Sequence, residues 1–319
     1  MNFKILYSAL VLIVSLKMIA FAQPERRLED LLKNAYQNGE FSGALLVAKG
    51  DKIIYKGAVG LADRRWKIPN SVDTKFRIGS VTKQFTTLLM MQLVESGKID
   101  LDKTLDNYLP NFPKQFGEKI TVSDLLLSSS GLPDFDVPEF YAIEDSEVKN
   151  FEYFTKKFLK GDLQFEPGSK FNYNNGDFIV AGAILEEVTG KTFGQNLDER
   201  ILVPLGMKNT GLIRNDEIVE NLASGYEYKD GSYVNEAFYS VENYGSAGAM
   251  YSSLDDMYLW DRALIENKLL SKQNTEIMFT PSAKLGFIGL GSWVYELKIA
   301  DEEAVRLIER QGGIGGFIS

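Results

Sequence analysis

The chain has 319 residues, a formal net charge of −9, no cysteine and no histidine. Without histidine, a Ser-His-Asp triad, a Cys-His pair and histidine-ligated metals are all excluded; without cysteine there are no disulfides, so stability must come from core packing. The acidic balance argues against nucleic acid or an anionic membrane surface as partner, and no metal or other cofactor is expected.

In chain order, residues 1–22 read as a secretory signal peptide. Lys4 precedes an apolar run from Ile5 to Leu16, and Ala20-Phe21-Ala22 offers a small-x-small cleavage site before Gln23. The run is too short for a spanning helix, although Lys17 leaves an uncleaved anchor as an alternative. No cysteine follows it that could carry a lipid. Cleavage removes two lysines and no acid, so the charge moves from −9 to −11. The expected product is one domain, residues 23–319, periplasmic or secreted and without stable membrane insertion.

Glu25 to Asn38 has Leu28, Leu31, Leu32 and Tyr36 at helical spacing. Gly43 to Lys49 and Lys52 to Gly60 are strand-like runs joined by Gly50-Asp51, a two-residue hairpin turn. Phe76-Arg77-Ile78-Gly79-Ser80-Val81-Thr82-Lys83 then opens a long apolar run that closes at Gly97. Here Ser80 is expected to cap the helix and Gly97 to stop it. Lys83 falls one turn after Ser80, on the same face. In a buried turn, desolvation and the helix dipole disfavour its ammonium form, and a neutral lysine could take the serine proton. The plainer alternative is a capping serine followed by a solvated lysine. Ser146-Glu147-Val148-Lys149 has the same spacing in an acidic stretch with no apolar helix behind it.

Leu101 to Asn111 and Thr121 to Leu127 carry a helical bias, Ser128 to Pro133 is rich in turn residues, and Asp134 to Gly161 reads as an acidic, aromatic surface excursion near a cleft. Glu166-Pro167-Gly168 forces a turn before Tyr173-Asn174-Asn175. Phe178, Ala181, Ile184, Leu185 and Val188 then recur at helical spacing up to Gly190. A tyrosine on a tight loop ahead of a buried helix can be aimed with little slack. It can equally be an aromatic anchor, and Tyr36-Gln37-Asn38 and Tyr233-Val234-Asn235 share the pattern. Ser253 to Leu264 reads as a helix capped by Ser253, with Asp256 three residues on. Trp293 to Ile299 and Ala304 to Glu309 read as strands. Gly312, Gly313, Gly315 and Gly316 crowd the end, as expected if a substrate approaches that backbone closely.

Taken together, Ser80-x-x-Lys83, Tyr173-x-Asn175 and a basic residue with x-Gly at Arg310-Gln311-Gly312 resemble the serine β-lactamase and penicillin-binding superfamily. The likeness is nearest to its class C β-lactamase-like branch of esterases and D-amino-acid peptidases. Leu125-Leu126, Ser130-Gly131-Leu132, Glu166-Pro167-Gly168, Val188-Thr189-Gly190, Pro204-Leu205-Gly206-Met207, Gly245-Ser246-Ala247-Gly248 and Gly289-Leu290-Gly291 look like that branch's landmarks.

The resemblance implies an α+β, two-lobed fold. An antiparallel sheet lobe is built from both chain ends (about 23–75 and 285–319), and a mainly helical lobe from about 76–284. It implies an exported serine hydrolase that acts through an acyl-enzyme on an amide, ester or β-lactam carbonyl of a small-molecule or peptide substrate. Ser80 would be the nucleophile, with Lys83 and Tyr173 as base and acid. Asn175, Arg310 and Gly312 would bind substrate, and the backbone N–H groups of Ser80 and Gly313 would form the oxyanion hole. The alternative is a catalytically slow module of the same fold that senses a penicillin or cell-wall peptide. Arg310 stands where the family usually has lysine or histidine, so it can hold a carboxylate or stabilise an ionised Tyr173 but cannot shuttle protons. The family also continues past the position of Ser319 through two strands and a helix. This implies a truncated form with unpaired sheet edges, poor solubility and little activity.

Overall fold

The computed structural model describes residues 24–135, 137–141, 149–298 and 303–319. The signal-peptide assignment to residues 1–22, together with Ser146 and Ile299, lies outside them. Residues 24–37 form the first helix, α1. Leu32 is buried, but Leu31 and Tyr36 are exposed, so the expected apolar stripe is only partly used. Gly43–Lys49 (β1) and Lys52–Val59 (β2) then pair antiparallel, from Gly43 opposite Val59 to Lys49 opposite Lys52, with an irregularity at Val47/Ala48. The two-residue turn at Gly50-Asp51 is as expected.

The longest apolar run becomes the central helix, Thr82–Glu95 (α2), entered through a single 3₁₀ turn at Gly79–Val81. Eleven of its fourteen residues are buried, so it is apolar or small on every side, as a helix in the middle of a core must be. Its threonines find backbone partners: Thr82 Oγ1 donates to Gly79 O at 2.7 Å, Thr87 Oγ1 to Lys83 O at 2.8 Å and Thr86 Oγ1 to Ser246 O at 2.6 Å. Gly97 stops the helix at φ +69°, its N–H bonded to Val94 O and that of Lys98 to Leu93 O. This pair of bonds satisfies carbonyls that the helix end would otherwise leave open. The start departs from expectation. Val81 occupies the N-cap position without a side-chain bond. Ser80 does not cap because its Oγ is engaged by Lys83 and Tyr173.

Asn175–Thr189 (α3) packs beside α2. Asn174 caps it by accepting from Gly176 N at 2.7 Å, and Gly190 ends it at φ +67°. Leu254–Ile265 (α4) opens with Ser253 accepting from Asp256 N. Its Trp260 stacks on Phe85 at 3.9 Å and donates to Gln84 Oε1 at 3.2 Å, fastening α4 to α2. Thr121 and Asp124 cap Val122–Leu126 reciprocally. The Leu101 to Asn111 stretch yields only a 3₁₀ turn at Leu105–Asn107, because much of its polar backbone is held by turns and by Ile120.

At the far end, Ser292–Leu297 (β3) pairs antiparallel with Val305–Glu309 (β4), and Gly313–Ile314 (β5) with Phe317–Ile318 (β6). Ser319 folds back on Gly312, each N–H bonding the other's carbonyl at 2.8 Å. Among the described residues the ladders from the two chain ends are not hydrogen-bonded to one another. The fold is thus α+β: a dry helical body with β-ladders contributed by both ends.

Candidate active site

The 3₁₀ turn ahead of α2 and the loop ahead of α3 meet at Ser80. Ser80 Oγ lies 2.5 Å from Tyr173 OH and accepts from Lys83 Nζ at 3.1 Å. Lys83 is wholly buried. Its Nζ also donates to Asn175 Oδ1 at 2.7 Å and to the Ala247 carbonyl at 2.7 Å. An ammonium has three donors, and each meets an acceptor here. Tyr173 OH lies 3.3 Å from Asn175 Oδ1, so Asn175 touches both of the serine's neighbours. The shared face of Ser80 and Lys83 thus becomes contact, because the helix carrying Lys83 is covered on all sides.

Arg310 comes to the same cluster from the sheet side. Its Nε donates to the Ser80 carbonyl at 3.0 Å and its Nη2 to Tyr173 OH at 3.2 Å, with the guanidinium 5.4 Å from the Trp293 ring. Burial pushes its pKa down, while the hydroxyl of Tyr173 pushes it back up. Gly312 and Gly313 follow, against the backbone ahead of Ser80. A Cβ on Gly312 would sit 1.9 Å from Ile78 O, and one on Gly79 would sit 2.9 Å from Gly313 N. Glycine therefore has a second reason here beside the expected approach of substrate. Gly79 and Gly312 are required by the close approach of the chain's own two backbone segments.

Behind the cluster lies a group the sequence did not single out. Asp177, in the first turn of α3, has no solvent exposure. Ser130 Oγ donates to its Oδ1 at 2.5 Å, and among the described residues its buried Oδ2 has no hydrogen-bond partner. Burial pushes this carboxyl well above the usual carboxylate range, opposed mainly by the Ser130 bond. Asp124 and Asp134 push it further up, and Lys83 pulls it back.

Two recesses flank Ser80, and both include Asn175 and Gly313 in their walls. One, of about 450 Å³, is walled by Phe171, Tyr173, Trp293 and Arg310. The other, of about 400 Å³, is walled by Glu227, Tyr239, Tyr244 and the backbone of residues 313–316. Every candidate residue is brought together: Ser80, Lys83, Tyr173, Asn175, Arg310, Gly312 and Gly313. The look-alikes lie elsewhere. Tyr36 is exposed on α1, Tyr233 lies under Arg64, whose Cζ is 3.3 Å from its ring centroid, and Lys149 faces Tyr153. Sequence reasoning missed Glu227, Tyr239 and Tyr244, which no local pattern marks, and the Ala247 carbonyl, whose only signal is its glycine-flanked turn.

Comparison with known proteins bears on the family and the fold. A family model described as Beta-lactamase matches residues 26–319. The D-aminopeptidase of Brucella anthropi is 32% identical over 74% of this chain and 45% of its own length. A teichoic acid D-alanine hydrolase of Staphylococcus aureus is 29% identical over 75% of this chain and 58% of its own length. The chain thus spans about half the length of these two relatives. Among solved structures, the penicillin binding protein from Bacillus halodurans superposes with a TM-score of 0.75 at 30% identity, covering 88% of this chain and 86% of that one.

Proposed function

The chain belongs to the beta-lactamase family, and from that premise we propose that it is a serine hydrolase working through an acyl-enzyme on an amide or ester carbonyl. The observation that carries the reading is the contact of one serine hydroxyl with both a fully buried lysine and a tyrosine. Ser80 Oγ attacks the carbonyl carbon while its proton passes to the base formed by Tyr173 and Lys83. The carbonyl oxygen gains charge and is met by the N–H groups of Ser80 and Gly313, a contribution often worth several kcal/mol. The carbon–leaving-group bond breaks as the proton is returned to the leaving atom. Water repeats the sequence to free Ser80. Asn175 keeps Lys83 and Tyr173 in register.

For Arg310 the geometry favours one of its two expected roles. Two of its donors are committed to Tyr173 OH and the Ser80 carbonyl, which supports stabilisation of an ionised Tyr173 over capture of a substrate carboxylate. The names of the relatives point to D-aminoacyl amides and D-alanyl esters as the first compounds to try. We also place the mature protein outside the cytoplasm, on the strength of the N-terminal apolar segment. Recovery of the intact N-terminus in a cytoplasmic fraction would reject that.

The functional test pairs a fluorescent serine-acylating probe with steady-state ester and D-aminoacyl amide assays. Turnover and labelling that both vanish in Ser80→Ala are expected. Stoichiometric labelling without turnover would instead favour the slow sensor of the same fold.

A further inference from the structure

The two recesses beside Ser80 differ in charge. Among the described residues, Arg310 is the one charged residue in the wall of the first, and Glu227 the one in the wall of the second. Their order along a bound substrate follows from the chemistry. The departing atom must be protonated, and Tyr173 lines only the Arg310 recess. The leaving group therefore occupies that recess, and the acyl substituent extends into the one that holds Glu227. This argument rests on the acyl-enzyme reading above.

We infer that the Glu227 recess selects an acyl group bearing a protonated amine, with Glu227 as its counter-charge and Tyr239 and Tyr244 as its aromatic wall. The two tyrosines stand edge to face, with centroids 6.0 Å apart at 77°. Aromatic faces attract cations, which an aliphatic wall would not. Glu227 lines the recess, and Lys229 and the Ala237 N–H hold its carboxyl below the usual carboxylate range. Lys229 does not forestall a substrate amine. Its 2.5 Å pair with Glu227 is a surface pair, with side chains 61% and 32% exposed, and such pairs exchange at little cost. The acidic chain as a whole, at −9, also raises the local concentration of cationic substrates.

The test compares D-alanyl p-nitroanilide with the isosteric isobutyryl p-nitroanilide, whose methyl replaces the ammonium. The wild-type protein, Glu227→Gln and Lys229→Gln are assayed on both. Glu227→Gln should lower kcat/KM for the aminoacyl anilide about ten- to a hundredfold, the size of one charge-assisted hydrogen bond, and leave the isobutyryl anilide within about twofold. Lys229→Gln, which removes the competing cation, should raise the aminoacyl rate alone. Equal effects on both anilides, or none, would overturn the subsite while leaving the hydrolase reading in place. Absence of Ser80-dependent turnover of both anilides would overturn the hydrolase reading and the subsite with it.

Discussion

The helical body and the sheet ends are built to different standards. In α2, eleven of fourteen residues are buried, and Leu89, Met90, Met91 and Leu93 have no exposure at all. Across the two strands β1 and β2 only Gly43 is buried, and β4 buries none of its residues. Ser80, Lys83, Tyr173 and Asn175 are carried by the helical body, whereas Arg310 and Gly313 come from the sheet end. The site is therefore assembled across a seam. One wall is held by packing, and the other by a few bonds: Arg310 to Ser80 O and Tyr173 OH, and Ser319 Oγ to Ile78 O at 3.0 Å. Stability and activity should respond to different halves.

The sharpest break is at the seam's dry edge. Ser80→Ala should abolish labelling by a serine-directed acylating probe, and Lys83→Ala should slow acylation by ~10²–10⁴-fold, measured by stopped-flow with the same probe. Labelling that persists in Ser80→Ala ends the mechanism. Next comes the packing contrast. Leu89→Ala should cost about 2–5 kcal/mol in a denaturant titration, and Ile308→Ala, on β4 and 39% exposed, no more than about 0.5 kcal/mol. Similar costs at the two sites would erase the distinction between the halves.

Arg310→Ala crosses the seam. Losing a charged donor to Tyr173 should cost about 1.5–3 kcal/mol in kcat/KM, equally on neutral and carboxylate-bearing substrates. The melting temperature should move little. A loss confined to carboxylate substrates would return Arg310 to the role of substrate anchor.

The smallest effect concerns Asp177, and its sign follows from linkage. Its folded pKa is raised above the unfolded value, so the native state keeps a proton that the unfolded chain has released. The stability it contributes is complete below the unfolded carboxylate pKa and is lost as pH rises toward the folded value. Asp177→Asn keeps the neutral shape and removes the titration. Its melting temperature should therefore decline less than that of the wild type between acid and mildly alkaline pH. Parallel curves would mean that Asp177 is ionised in the fold.

What the sequence disclosed divides along the same seam. Ser80, Lys83, Tyr173 and Asn175 were legible because each stands at the mouth of a buried helix, where spacing along the chain fixes geometry. The stops at Gly97 and Gly190 were legible for the same local reason. The Ser80 cap was misread, since side-chain rotation, which tertiary partners decide, leaves no trace in spacing. Asp177 was invisible because its role depends on Ser130, brought close only by folding. Leu31 and Tyr36 kept a helical period yet lie exposed, because periodicity marks a face and not the surface that covers it. Arg310 was placed correctly in the chain. Its hydrogen bonds to Tyr173 OH and the Ser80 carbonyl could be seen only in three dimensions.

The Trp293 ring beside Arg310 makes the protein its own optical instrument. Three tryptophans occupy three environments: Trp66 is 78% exposed, Trp260 is 2% exposed in the core, and Trp293 lines the Arg310 recess. Emission from Trp66 is open to iodide quenching, and that from Trp260 is shielded in the core. What changes on filling the recess is the signal from Trp293 alone. Occupancy of one side of the cleft can then be followed in real time with no dye, no label and no turnover.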